Sequence, residues 1–321
     1  MPSDIERAIA QTIVFFDIFS YPLTLSEIRD FLFQPARNVS IADINEALRS
    51  SSFLNDRIVR ERGYYMVRGQ ERLVAVRNQR YRIAEKKYAR ARRAAALIAR
   101  APFVRLVCVV NSLAMSNASR ESDIDLFISA QSGHVWTVRF IVTALLHIMG
   151  LRPKAGRRQD ALCASFFASN DSYTMARLQI HDDTDGGLPD LYLAWWVSRC
   201  VPIYDSSDEA EKFFQANSWA ASVFPYRREY RTSQLRTVEL GAIARCVKAV
   251  IECCVSIFGR AAERAARSIQ WSILPDSLRA IVNKDTRVVM TDSILKFHQN
   301  DTREEFRARF KSACRTYDIH P

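Results

Sequence analysis

Two carboxylates set two residues apart inside an apolar run constrain this chain more than any other feature of it. The run is Ser122-Asp123-Ile124-Asp125-Leu126-Phe127-Ile128. Its alternation predicts a strand, and side chains two apart on a strand point to the same face. Asp123 and Asp125 then project together while Ile124, Leu126 and Ile128 fill the core beneath. Phosphoryl transfer from a nucleotide needs such carboxylates, which hold magnesium against the triphosphate and the attacking hydroxyl. Magnesium prefers hard oxygen ligands and keeps some waters. Two carboxylates completed by phosphate oxygens therefore make a reasonable Mg2+ site, with Mn2+ as an alternative. On its own, the spacing describes a solvated edge-strand pair equally well.

Upstream stands Val109-Val110-Asn111-Ser112-Leu113-Ala114-Met115, a strand ending in a turn that opens a helix. Backbone N–H groups at such a start, with the Ser112 hydroxyl, can hold the β and γ phosphates of a nucleotide. Residues 102–180 continue as alternating strand and helix, with strands at 103–110, 124–129 and 161–168 and a helix at 135–149. That succession predicts an α/β unit with a mixed sheet.

Residues 109–128 resemble the G-S…S-D-I-D-L signature of polymerase-β-like nucleotidyltransferases. The chain is similar, more broadly, to a bacterial group of nucleotidyltransferase-domain proteins with a winged-helix N-terminus and a helical C-terminus. The likeness extends to Phe16-Asp17-Ile18-Phe19-Ser20-Tyr21-Pro22-Leu23-Thr24, to Trp136 and Arg139, and to Leu295-Lys296-Phe297-His298. The resemblance implies transfer of a nucleoside monophosphate from an NTP to an acceptor hydroxyl, with release of pyrophosphate. Asp123 and Asp125 would carry the metal, and Asn111 and Ser112 would border the triphosphate. Arg139 is a further candidate for a phosphate contact, although a surface arginine reads equally well. The acceptor, whether small molecule, protein or RNA, is not specified.

The sequence departs from the family pattern twice. Asn111 replaces the first glycine; asparagine tolerates left-handed backbone, but its side chain crowds the triphosphate. The third carboxylate is missing from the strand after the intervening helix, which reads Leu162-Cys163-Ala164-Ser165-Phe166-Phe167. Asp160 and Asp171 flank that strand and are the available substitutes. These departures keep a non-catalytic nucleotide sensor open as a rival reading.

The whole chain reads as an α+β protein in four parts. Residues 1–70 predict a winged-helix-like unit, with helices opened by Thr24 and Ser40 and a hairpin around Gly63. Such a unit binds DNA or docks proteins, and protein docking is the preferred reading. Residues 71–101 predict a long helix with a basic face that includes Arg82, Lys86, Lys87, Arg90 and Arg93, with Tyr81 and Tyr88 interleaved. A solvated face is preferred to a nucleic-acid stripe, although the stripe would support a third reading, a nucleic-acid-binding regulator. Residues 102–188 form the nucleotidyltransferase core. Residues 189–321 are expected to be nearly all helical, with Trp195, Trp196, Trp219 and Trp271 in the core.

Composition bounds the partners. A net charge of +11 over 321 residues suits a polyanionic ligand. The seven scattered cysteines form no metal or disulfide pattern and fit a reducing cytoplasm. The N-terminus does not read as a signal peptide. The apolar stretches 135–151 and 241–258 are short and charge-bearing, so both are expected to pack in the core rather than span a membrane. His181-Asp182-Asp183-Thr184-Asp185 reads as a polar loop rather than a metal cluster, and His298 as a packing residue.

Overall fold

The computed structural model describes residues 2–35, 38–153, 156, 158–181, 187–227 and 233–319. The chain opens with α1 (Asp4–Asp17), β1 (Leu23–Thr24), α2 (Leu25–Asp30), α3 (Ile41–Ser50), α4 (Ser52–Arg57), β2 (Ile58–Glu61) and β3 (Tyr64–Val67). Reciprocal capping starts three of these helices, through Ser3 with Glu6, Thr24 with Glu27, and Ser40 with Asp43. Each such pair satisfies two N–H groups that a helix start leaves open. The strands form an antiparallel sheet in the order β1-β3-β2. Between β2 and β3, Arg62 and Gly63 both have positive φ (49° and 85°), the twist a two-residue hairpin loop requires.

α5 (Leu73–Ile98) is one unbroken helix of 26 residues. Ala84, Tyr88, Ala91, Ala95 and Ile98 are buried along it against the central sheet. The basic face is narrower than the sequence suggested. Lys87 turns inward and is 2% exposed, Tyr88 joins the core, and Tyr81 stays 53% exposed.

The central sheet is built from β4 (Val104–Val109), β5 (Ile124–Ala130), β6 (Leu162–Ser169), β7 (Val201–Asp205), β8 (Val288–Met290) and β9 (Ile294–Phe297), in the order β7-β4-β5-β6-β9-β8. Only β5 and β6 run parallel, so the sheet is mixed. Between strands lie α6 (Asn111–Ala114), α7 (Val135–Ile148), α8 (Leu191–Ser198), α9 (Glu209–Ala216), α10 (Ala242–Ser256), α11 (Gly259–Ser272) and α12 (Asp276–Arg279), and α13 (Arg303–Thr316) follows. One face of the sheet packs on α5 and α7; the other, through Phe127 and Phe166, packs on Trp196 of α8. The protein is α+β, and no helix is long and apolar enough to cross a membrane.

Three expectations are corrected. The region after residue 189 is not nearly all helical, because it supplies β7, β8 and β9. These strands are short apolar runs without clear period, which sequence cannot separate from helix. Pro202 is tolerated in β7 because that strand lies at the sheet edge. Second, Trp195 and Trp196 are buried, but Trp271 is 39% exposed. Third, the stretch 241–258 does not pack its apolar side inward. Ile243 is 82% and Phe258 69% exposed, whereas Lys248 is buried. Its ammonium donates to the carbonyls of Ala99 (2.9 Å) and Val104 (2.6 Å), and Glu252 of the same helix binds Arg105 at 2.8 Å. The polar stripe of α10 is therefore the packed one. Periodicity reveals that a helix has two faces, not which face is covered.

Candidate active site

The two aspartates enter β5 from a loop held by the core. Lys87 Nζ donates to the carbonyls of Arg120 (3.2 Å) and Ser122 (2.7 Å) and pairs with Asp160 at 2.6 Å. A buried ammonium satisfied in this way fixes the backbone immediately before Asp123. Asp123 and Asp125 then lie on one side of the sheet, with Ile124 and Leu126 wholly buried on the other.

The turn after β4 meets them. Val110 N–H donates to the Asp125 carbonyl at 3.1 Å, and Asn117 N–H to the Ser112 carbonyl at 2.9 Å. Asn111 has φ 56°, the left-handed conformation that glycine and asparagine reach most easily. Its Nδ2 donates to Asp125 Oδ2 at 2.9 Å. Ser112 stands next, inside the first turn of α6.

The parallel partner strand decides what faces the pair. Asp125 lies opposite Cys163 in the register, and the register shifts one step later, between Leu126 and Phe127. The Cys163 thiol lies within 4.8 Å of the Asp123 and Asp125 carboxylates and neighbours Ser165. Ser165 Oγ in turn lies 3.2 Å from His298 Nε2. The polar chain therefore runs Asn111, Asp125, Cys163, Ser165, His298. Burial raises the Asp125 carboxyl to about 6, and the charge of Asp123 adds to that; Asn111, Cys163 and the nearby Arg158 oppose it. Burial, then the charge of Asp125, pushes the Cys163 thiol up to about 12, so it is protonated at neutral pH. Burial lowers His298 to about 4, leaving a neutral imidazole.

Asp123, Asp125 and Cys163 offer ligand atoms within 4.8 Å of one another, the one such group among the described residues. The two carboxylates suit Mg2+ or Mn2+. A thiol does not suit Mg2+, so that ion would rest on two protein ligands.

The other candidates lie apart from the pair. Asp160 is taken up by Lys87. Asp171 sits beyond the far end of β6, whose last residue is roughly 20 Å along the strand from Cys163 by residue rise; there Ser169 Oγ donates to it at 2.6 Å and Ser132 also donates. Arg139 donates to Gln270 and stacks 4.0 Å over the Phe297 ring. It borders a cleft of about 660 Å³ that Cys163 and Ser165 also line. His181 is exposed, and residues 182–186 lie outside the described residues.

Sequence reasoning missed Cys163, Ser165 and Arg158. Among seven scattered cysteines nothing in the sequence singles out Cys163, and only the strand register places it opposite Asp125. Against Asn111, a pocket of about 170 Å³ is walled by Phe166, Tyr192, Trp196, His298 and Arg303. That is below the roughly 300–1,000 Å³ usual for a bound small molecule. Comparison with protein families, curated proteins and solved structures finds no match to the chain.

Proposed function

We propose that the chain is a divalent-metal-dependent nucleotidyltransferase of the polymerase-β-like kind, moving a nucleoside monophosphate from an NTP to an acceptor hydroxyl. The observation that carries this reading is the meeting of the Asn111-Ser112 turn with the aspartate strand, through the Val110–Asp125 backbone bond at 3.1 Å and the Asn111–Asp125 side-chain bond at 2.9 Å. Asp123 and Asp125 would hold Mg2+ or Mn2+, which neutralises phosphate charge as pyrophosphate departs. Ser112 and the amides beside it would hold the β and γ phosphates, and Arg158 adds positive charge near Asp125. The acceptor oxygen bonds to the α-phosphorus, the bond to the bridging oxygen breaks, and pyrophosphate leaves. β6 presents Cys163 and Ser165 rather than a carboxylate, so the hydroxyl proton passes to water and turnover is slow.

The N-terminal order of helix, short strand, three further helices and hairpin supports a winged-helix unit that docks a protein partner. Seven unpaired cysteines agree with a cytoplasmic setting. A second reading, a nucleotide sensor that binds without turnover, is favoured by the thiol where a third carboxylate is expected.

The test is incubation with each labelled NTP and Mg2+ or Mn2+, following pyrophosphate, label transfer and thermal stabilisation. Release and stabilisation are expected, both lost in Asp123→Asn and Asp125→Asn. Stabilisation without pyrophosphate selects the sensor. Unchanged stabilisation in both variants removes the site.

A further inference from the structure

A second concavity adjoins the aspartate loop, and its chemistry differs from that of the site. It encloses about 740 Å³ between α5, the β2–β3 turn and the loops before β5 and β6. Its cations come from three separate elements: Arg62 from the turn, Arg82 and Lys86 from α5, and Arg120 from the loop leading to Asp123. All four are exposed. Arg62 lies 3.4 Å from Glu61. Among the described residues, no carboxylate lies within salt-bridge distance of Arg82, Lys86 or Arg120. The lining acid, Asp160, is already matched to Lys87 at 2.6 Å.

A solvated cationic face on a helix would be convex and laced with acids. This one is folded into a cleft, and of its four exposed cations only Arg62 has a carboxylate within salt-bridge distance among the described residues. Arg82 and Lys86 are one turn apart, a rise of about 6 Å, comparable to the separation of successive phosphates along an extended strand. Asn78 and Gln79 stand beside them, with Ala75 and Ile83 between. Amides and small apolar surfaces among cations suit bases as well as backbone, which a cleft for simple polyphosphate would not need. The floor leads to the chemistry. Lys87 holds the carbonyls of Arg120 and Ser122, and Asp123 follows directly.

We propose that this cleft binds the phosphodiester backbone of a single-stranded nucleic acid and leads its end to Asp123 and Asp125. That strand is the acceptor, an assignment of purpose that rests on the transferase reading; the binding itself does not.

The experiment measures anisotropy of a short labelled single-stranded RNA of mixed sequence on the full chain, without nucleotide or metal, at low and raised salt. Three engaged phosphates give a slope of log affinity against log salt near −2, from about 0.7 per phosphate. Arg82→Glu, Lys86→Glu and Arg120→Glu together are expected to cut affinity by about 10–100-fold and flatten that slope. Arg90→Glu with Arg93→Glu, charges on the same helix that do not line the cleft, should change little. If the triple glutamate variant loses its far-UV circular dichroism, the glutamine versions replace it and should still weaken binding. Equal loss in the control variant, no loss in the triple variant, or competition by inorganic tripolyphosphate as effective as by RNA overturns the proposal. RNA bound in the cleft with no pyrophosphate from any NTP would end the transferase reading alone. Pyrophosphate released while RNA does not bind would end the cleft proposal alone.

Discussion

Beside β9, Asp190 and Asp301 share Arg303 and Lys296; at the start of β5, Asp123 and Asp125 share no salt bridge among the described residues. In the first cluster Arg303 bonds Asp190 at 2.8 Å and Asp301 at 2.8 Å, and Lys296 reaches Asp301 at 2.9 Å. Burial alone would raise the Asp301 carboxyl, but hydrogen bonds and charge from Arg303 and Lys296 hold it well below the ordinary range. In the second cluster burial and a like charge act together, and Asp125 rises to about 6. Lys296, Asp301 and Arg303 of the first cluster line the small pocket beside Asn111, whose side chain bonds Asp125 of the second. The difference teaches where an external cation belongs: carboxylates that the chain has already neutralised are structural, and those it leaves in repulsion are open to a ligand.

The largest expected effect breaks the paired cluster. Arg303→Met leaves buried Asp190 without its cation and Asp301 with Lys296 alone, and should cost about 3–5 kcal/mol, measured by urea unfolding. A loss under about 1 kcal/mol would mean the pairing is no stronger than a surface ion pair. Next, Cys163→Asp places a carboxylate opposite Asp125. Positioned general bases contribute ~10²–10⁴-fold, so turnover in the pyrophosphate assay should rise by about 10²-fold, with Asp171→Ala as an inert control. An unchanged rate would show that β6 does not face the reacting atoms.

The third prediction concerns pH. Because the folded Asp125 carboxyl is raised, its contribution to stability is fully present below its ordinary pKa and lost as pH rises through about 6. Asp301 is depressed, so its contribution is present above the ordinary carboxylate range and lost as pH falls. Asp125→Asn should therefore stabilise the protein at pH 7 by on the order of 1–2 kcal/mol and gain nothing near pH 3. Thermal unfolding across pH checks this, and destabilisation at pH 7 would contradict it. The smallest effect belongs to Asn111→Gly. Glycine keeps the left-handed turn but removes a bond to Asp125, so stability should fall by less than about 1 kcal/mol. The Asp125 carboxyl, followed by NMR titration, should move upward. A downward move would mean that Asn111 does not stabilise the charged carboxylate.

The site was legible where local pattern decides geometry. Alternation around Ile124 put both aspartates on one face, and the Asn111 turn adopts the conformation its residue type permits. It was not legible where a distant strand decides. Cys163 faces Asp125 because of a parallel register that residues 162–167 do not announce. Lys87 is one cation among many on α5, and only the carbonyls of another loop mark it as internal. For α10, two faces were visible, but the buried one is chosen by Arg105 and the carbonyls of Ala99 and Val104, far away in sequence.

The sheet that carries the aspartates is closed by strands that arrive late. Val109 of β4 waits for Val201, and Phe166 of β6 for Lys296. During synthesis the motif strand leaves the ribosome with open edges on both outer neighbours, and such edges invite pairing with other chains. An excised piece covering residues 102–188 keeps the whole signature yet exposes the β6 edge along Phe166 and Phe167, so it should aggregate rather than fold. The shortest unit expected to fold extends at least to Phe297, although both candidate metal ligands are read by Asp125.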